Sequence, residues 1–413
     1  MESSREMRTI LHYWNGLGAA LPTLAGLTPE PHTVSIVDEN YQQIDFDVEV
    51  DVVGITAMTQ QAIRAYEIAE EFRKRGAYVA MGGIHASVLP EEAASHVDSV
   101  FVGEAENTWP AFLEDLENGT PKRVYRKDEY GPIDMSSIPL PRYDLLGEVD
   151  YPVVWVQATR GCPHDCEFCT ATQVYGPQYR HKTPEQVAAE IWEVKRHWKN
   201  AQIGFADDNM FVNRRFVSKL LTGFEQIPFT WYAQSDISIA TDPELLRRLH
   251  ETGCRIIFVG LESVEEGNLA NLNGDKWKAR RFRNYGEHIR AIQESGIGVY
   301  GSFIVGMDED DHSVFEKTID FVNENHIMGT QVTILTPFPG SRLRERFERE
   351  GRLTNHDWRY YTAWNPVIKH PILSEKELEE GLLRIYRGVY NDASARDRAL
   401  YFRQVFQSLV AQS

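Results

Sequence analysis

The 413-residue chain has room for two or three domains, and its 42% apolar and 25% charged residues are ordinary for a globular protein. Its 61 acidic and 43 basic residues give a formal charge of −18, which argues against a nucleic-acid groove built from clustered Lys and Arg. Four cysteines without framework spacing argue against a disulfide-stapled secreted protein and for a reducing, cytoplasmic compartment.

In chain order, the N-terminus MESSREMRT mixes charges, and the weakly apolar stretch 16–27 is broken by Pro22, so neither a signal peptide nor a membrane-spanning helix is expected. Residues 1–120 read as alternating strands and helices. Short β-rich runs fall at 33–37, 52–58, 78–81 and 99–102, and Ala62, Ala65, Tyr66, Ala69 and Phe72 recur at helical spacing. That pattern predicts an open parallel sheet with helices on both faces, whose ligands bind where the strands end. Thr59-Gln60, Gly82-Gly83 and Gly103-Glu104 fall at those ends, where glycine lets backbone approach something bulky. His85 follows the second of them and reads as a polar loop residue rather than a metal ligand. No Gly-x-Gly-x-x-Gly fingerprint is present. Residues 121–149, with Pro121, Pro132, Pro139 and Pro141, read as a linker.

After the apolar run 153–158 comes Arg160-Gly161-Cys162-Pro163-His164-Asp165-Cys166-Glu167-Phe168-Cys169, which places three of the four cysteines on one loop, spaced Cys-x3-Cys-x2-Cys. Three thiolates that close together hold iron or zinc. Cys254 follows a predicted helix and precedes a strand-like run at 255–259, so in a βα barrel it sits at the face opposite the loop and is a poor fourth ligand. A structural zinc site would close with His164 or His181. An ordinary cubane takes four cysteines, so three leave one iron open for chemistry.

The second domain is expected over 150–345. Thr183-Pro184-Glu185-Gln186 is a capping box that starts a helix carrying Val187, Ile191, Val194 and Trp198. Strand-like runs at 202–206, 229–234, 255–259, 298–305 and 331–335, with the run before Cys162, make six βα units. Their ends carry Asp207-Asp208-Asn209, Gln234-Ser235, Glu262-Ser263 and Gly306. Each has an ordinary alternative: a helix cap for Asp207-Asp208-Asn209, an ion pair with an arginine such as Arg160 for Glu262, loop packing for Phe168. Residues 346–413 read as a mostly helical extension, aromatic-rich from Trp358 to Trp364, with Ser374 capping a helix that bears Leu378, Leu382, Ile385 and Val389.

The three-cysteine loop, with an aromatic before its last cysteine, resembles the cluster loop of radical S-adenosylmethionine (SAM) enzymes. The resemblance implies a [4Fe-4S] cluster on Cys162, Cys166 and Cys169. It also implies SAM chelated to the free iron and cleaved to a 5'-deoxyadenosyl radical, and a flavodoxin- or ferredoxin-type electron donor. It further implies Phe168 against the adenine, Asp207 or, preferably, Asp208 on the SAM ammonium, and Gln234, Ser235 and Glu262 on its carboxylate and ribose. Gly306, ending Gly301-Ser302-Phe303-Ile304-Val305-Gly306, would pack the adenine. The chain departs from the family pattern at Phe205-Ala206, where glycines are usual. The N-terminal segment resembles the cobalamin-binding-type domain found ahead of many such barrels, but it lacks the Asp-x-His-x-x-Gly motif. Cobalamin binding and a retained but empty fold therefore both stay open, with Thr59, Gln60, Gly82, Gly83, Gly103 and Glu104 as the candidate contacts. The tail resembles that of the hopanoid methylases and their relatives.

The implied architecture is a Rossmann-like cobalamin-binding-type domain, a partial (β/α)6 radical SAM barrel and a helical extension. The implied activity is hydrogen abstraction from a small-molecule or lipid substrate, with cobalamin-type C-methyl transfer as the leading subclass. The alternatives are a cobalamin-independent dehydratase, dehydrogenase, cyclase or carbon–carbon bond-forming enzyme, or, from another class, a non-catalytic iron–sulfur or zinc protein.

Overall fold

The computed structural model describes residues 16–272 and 276–412, so the segment MESSREMRT, read above for a leader, lies outside the described residues. The first sheet has four parallel strands in sequential order: β1 (Val52–Thr56), β2 (Tyr78–Gly82), β3 (Ser99–Val102) and β4 (Val124–Arg126). The helix Ala62–Lys74 packs on it through Ala62, Ala65, Tyr66, Ala69 and Phe72, all buried, so the helical spacing read from the sequence marks its core face.

Two features of this domain differ from expectation. The run 33–37 forms no strand and pairs with none. Its Ile36 is buried in the barrel's core, and the adjoining Asp38 accepts a hydrogen bond from Tyr151 at 3.1 Å, so tertiary packing draws this segment away from the sheet. Conversely, Val124–Arg126 lies in the stretch expected to be a linker and pairs with β3. The buried Tyr125 anchors it, donating to Asp115 at 2.9 Å. Three residues among prolines are too short for a period to show.

The second sheet is also all-parallel and sequential: β5 (Val153–Val156), β6 (Gln202–Phe205), β7 (Trp231–Ser235), β8 (Cys254–Glu262), β9 (Gly298–Val305) and β10 (Gly329–Ile334). Val154, Val156, Ile203, Phe205, Ala233, Ile257 and Val259 turn outward and are buried beneath the connecting helices. One of these helices, Pro184–His197, begins with the expected capping box on Thr183 and Gln186. Their strand neighbours Trp155, Tyr232, Phe258 and Tyr300 face the other way, with Trp155 edge-on to Tyr232 at 5.1 Å and Phe258 stacked on Tyr300 at 5.3 Å. β5 and β10 do not pair, so the barrel is partial.

Both free edges are covered. Leu17 bridges β5, donating to Val153 O at 3.0 Å and accepting from Trp155 N at 2.8 Å. On β10, two tyrosines of the helix Glu375–Val389 and its cap stand in for a missing strand. Tyr386 Oη accepts from Val332 N and donates to Val332 O (3.1 and 3.0 Å), and Tyr390 Oη does the same for Thr330 (2.8 and 3.0 Å). Tyr386→Phe is expected to cost about 1–3 kcal/mol in denaturant unfolding, because it leaves buried backbone groups unpaired. An unchanged midpoint would mean that water already serves that edge.

Candidate functional site

The loop carrying the three thiols leaves β5 at the carboxyl end of the barrel and is pinned at both ends and in its middle. Its feet, Thr159–Arg160 and Arg180–His181, pair as a two-residue antiparallel ladder. Its middle is held by the extension helix Arg342–Arg349: Leu343 N donates to Glu167 O at 2.9 Å, Arg346 pairs with Glu167 at 2.8 Å and Arg342 with Asp165 at 2.9 Å. Phe168 is half-buried and packs against the barrel's hydrophobic core.

Cys162, Cys166 and Cys169 are free and partly exposed. Burial pushes their thiols up to about 11, 12 and 11, and mutual repulsion and the carboxylates of Asp208 and Glu262 add to this. All three stand on the one loop that leaves β5 at the carboxyl end of the barrel. Among the described residues no three His, Cys, Asp or Glu side chains converge as ligands of a single metal ion. A cubane takes each thiolate on a different iron. Bound iron would supply the positive charge that favours the thiolate form of each. Cys254, the first residue of β8, is fully buried at the opposite end of the barrel. His164 Nε2 donates to Asp236 at 3.1 Å and its ring stacks on Trp277 at 4.4 Å, so the ring is already engaged. The donor set fits a cluster with one iron left without a protein ligand.

The neighbouring strand ends divide into groups that face the cysteine loop and groups that do not. Asp208 faces it: burial raises its carboxyl to about 6, and the Gly161 amide donates to it. Asp207 turns into the wall instead. It is fully buried, accepts from Ala158 N at 3.2 Å and is pushed to about 7 by burial. Gln234 is half-exposed on the inner face of β7, while Ser235 is buried with its hydroxyl on Asp236 O at 2.8 Å. Gly306 directly follows β9, and there Asp310 accepts from the amides of Gly306 and Met307 (2.8 and 3.0 Å) and from Asn268 (2.7 Å).

Glu262 ends β8 in a left-handed conformation (φ 69°) and is paired with Lys278 at 2.6 Å, rather than with Arg160 as its alternative reading had it. Lys278 also donates to Gly260 O at 2.8 Å, and a Cβ at Gly260 would push against the Glu262 carboxylate that Lys278 holds. The Lys278 ammonium faces Cys166 as well, lowering the cost of a thiolate there.

Sequence reasoning missed two site residues. Lys278 stands in no periodic or motif context. Asp236, by contrast, directly follows Gln234-Ser235 at a strand end and was legible. Burial pushes its carboxyl up, but hydrogen bonds from His164, Ser238 and Asn209 outweigh this and hold it well below the usual carboxylate range.

On the facing domain, Thr59 is buried, while Gln60, Gly82, Gly83 and Gly103 are partly exposed at the carboxyl ends of β1 to β3. Gly83 (φ 93°) sits so close to Thr56 and Ala57 that no side chain fits. His85 is fully buried beside Tyr66 (2.9 Å) and Glu92 (3.3 Å), so its imidazole is not offered at these strand ends. The residues fit a corrinoid held by backbone and small polar groups rather than by histidine. Glu104, grouped above with the candidate corrinoid contacts, points elsewhere: its carboxylate takes Arg160 at 2.8 Å and Arg180 at 2.9 Å, both from the feet of the cysteine loop.

Residues 156–322 match the radical SAM superfamily, and residues 31–113 match the B12 binding domain. The chain is 32% identical over 398 residues to bacteriochlorophyllide d C-8(2)-methyltransferase of Chlorobaculum tepidum, an alignment covering 92% of this chain and 87% of that one. It is 28% identical to hopanoid C-2 methylase of Rhodopseudomonas palustris, covering 82% and 65%. In fold it is similar to the radical SAM methyltransferase TsrM from Kitasatospora setae, solved with cobalamin and a [4Fe-4S] cluster bound, with a TM-score of 0.63, 16% identity, and 84% and 72% of the two chains covered. The match in both domains along nearly the whole length places the chain in the radical SAM superfamily, among the methyltransferases that carry a B12-binding domain ahead of the barrel.

Proposed function

We propose that this enzyme transfers a methyl group from SAM to an unactivated carbon of a large, mostly apolar, polycyclic small molecule. The observation that carries the reading is the placement of three part-exposed thiols, with Asp208 and Glu262 beside them, at the barrel end that faces the strand ends of the B12-binding domain. The substrate class is supported by the bacteriochlorophyllide and hopanoid named for two relatives, and by the four inward aromatic rings Trp155, Tyr232, Phe258 and Tyr300.

When bound, the cluster supplies the electron that cleaves SAM, and cobalamin supplies the methyl carrier. The chain's own residues bind and orient. Cys162, Cys166 and Cys169 hold the cluster. Asp208 takes the SAM ammonium through a charge-assisted hydrogen bond, which its part-exposed carboxyl can do and the wall-buried Asp207 cannot. Glu262 and Gln234 accept the ribose hydroxyls, and Lys278, a fixed cation beside Glu262, takes the SAM carboxylate. Phe168 and Gly306 bound the adenine, and Ser235 shapes its floor. Gln60, Gly82, Gly83 and Gly103 present backbone and amide groups to the corrinoid, and Thr59 supports them from beneath. A flavodoxin- or ferredoxin-type protein is the proposed reductant, because clusters of this kind need a low-potential donor. A cytoplasmic location is proposed from the free cysteines. No helix among the described residues is long and apolar enough to cross a membrane.

The test is anaerobic turnover with SAM carrying a trideuterated methyl group, reconstituted cluster and hydroxocobalamin, against chlorophyllide-type and hopanoid-type acceptors. Mass gain of one trideuteromethyl group with release of 5'-deoxyadenosine is expected. Release of 5'-deoxyadenosine with an altered but unlabelled acceptor would instead identify a radical reaction other than methyl transfer.

A further inference from the structure

The cysteine loop and the B12-binding domain meet through a cluster of charges that neither cofactor site requires. Glu104 and Glu106 follow β3, and their side chains are only 4% and 9% exposed. Arg160, the residue that leads into Gly161-Cys162, gives one nitrogen to Glu104 at 2.8 Å and another to Glu106 at 2.5 Å. Arg180, at the loop's other foot, grips both oxygens of Glu104 at 3.0 and 2.9 Å. The two arginines are themselves partners in the short ladder that closes the loop. The same guanidinium groups brace the loop from within: Arg160 Nε donates to Gln157 at 2.7 Å, and Arg180 Nη2 donates to Tyr175 O at 2.8 Å. Lys127, just after β4, adds a third tie, donating to Val174 O at 2.5 Å while standing 4.0 Å from Glu104.

A charged carboxylate kept this dry is stable only while its partners stay in place, and both partners are the ends of the loop that bears the thiols. Glu104 therefore ties three things at one point: the carboxyl end of β3 and each foot of the cysteine loop. Gly103, beside it, is one of the proposed corrinoid contacts, so this inference rests on the corrinoid reading above.

We propose that Glu104 is a positioning residue that registers the cysteine loop on the B12-binding domain, so that ordering of β3's end by a corrinoid is passed to the loop through Arg160 and Arg180. Two distinct sites then share one rigid element. Because such coupling is reciprocal, a cluster on the loop tightens corrinoid binding by the same factor.

Amide hydrogen exchange over residues 161–179 tests this in the full-length protein. Without corrinoid, Glu104→Gln and Arg180→Gln are each expected to speed exchange of the loop about ten-fold, and the double variant no further than Glu104→Gln alone, because the Arg180 pairing is already lost once the Glu104 carboxylate is gone. Added hydroxocobalamin should slow loop exchange in the parent protein and in Glu39→Gln, which breaks an exposed pair with Arg64 on the same domain, but not in the Glu104 or Arg180 variants. Should Glu104→Gln fail to fold, Arg180→Lys, which keeps the charge on Glu104 but loses the second donor to Tyr175 O, is expected to give an intermediate effect. Unchanged loop exchange in variants with parental melting, additive effects in the double variant, or loop protection by hydroxocobalamin that survives Glu104→Gln would each overturn the proposal. Failure of the parent protein to bind hydroxocobalamin would overturn the corrinoid reading and, with it, the transmission. The clamp alone is still decided by the exchange measured without corrinoid.

Discussion

Replacing Cys162, Cys166 or Cys169 with Ala is expected to remove 5'-deoxyadenosine formation by more than ~10³-fold, because a cubane left with two protein thiolates is not retained. The loss should track iron content, not folding. All three side chains are partly exposed on a loop, so trimming a sulfur there opens no core cavity, and the thermal midpoint should stay near that of the parent. Cys254→Ala is the contrasting case. Its sulfur is fully buried among barrel side chains, so that variant should lose roughly 1 kcal/mol of stability while keeping its iron and its radical chemistry. If Cys254→Ala instead lost the cluster, the placement of the fourth cysteine at the far end of the barrel would be wrong.

Lys278→Met is expected to produce the second-largest effect, through two routes that separate experimentally. The Lys278 side chain is 6% exposed and that of Glu262 is 11% exposed, so removing the cation strands a buried carboxylate and should cost about 3–5 kcal/mol. Adding Glu262→Gln to Lys278→Met should recover much of that stability, because no unpaired charge then remains. SAM affinity should not recover with it. The double variant lacks both groups proposed to meet SAM, so its dissociation constant is expected to stay weakened by at least ~10-fold, worth about 1.4 kcal/mol. Recovery of SAM binding together with stability would confine the pair to a structural part.

How far this site can be read from sequence follows from how local each signal is. The three cysteines, Gly306 and the strand-end Asp208 and Glu262 sit where spacing within one βα unit puts them. The six-strand order of the barrel follows from the alternation of apolar runs and capped helices. Partners brought in from elsewhere leave no local trace. Lys278 reaches Glu262 from a short helix 16 residues on, and Arg160 meets Glu104 across 56 residues and a domain boundary. The segment 33–37 has the composition of a strand but is spent packing Ile36 into the barrel, and β4 hides among prolines because three residues show no period. The split between Asp207 and Asp208 is equally invisible in one dimension, since adjacent residues at a strand end point to opposite sides and only the fold says which side is the wall.

The most direct test is electron paramagnetic resonance of the anaerobically reconstituted, dithionite-reduced protein, recorded before and after adding SAM. The geometry predicts about four irons and four sulfides per chain and a reduced-cluster signal that shifts when SAM occupies the iron the chain leaves without a ligand. A chain that takes up zinc instead, or a cluster signal that SAM does not move, would contradict it.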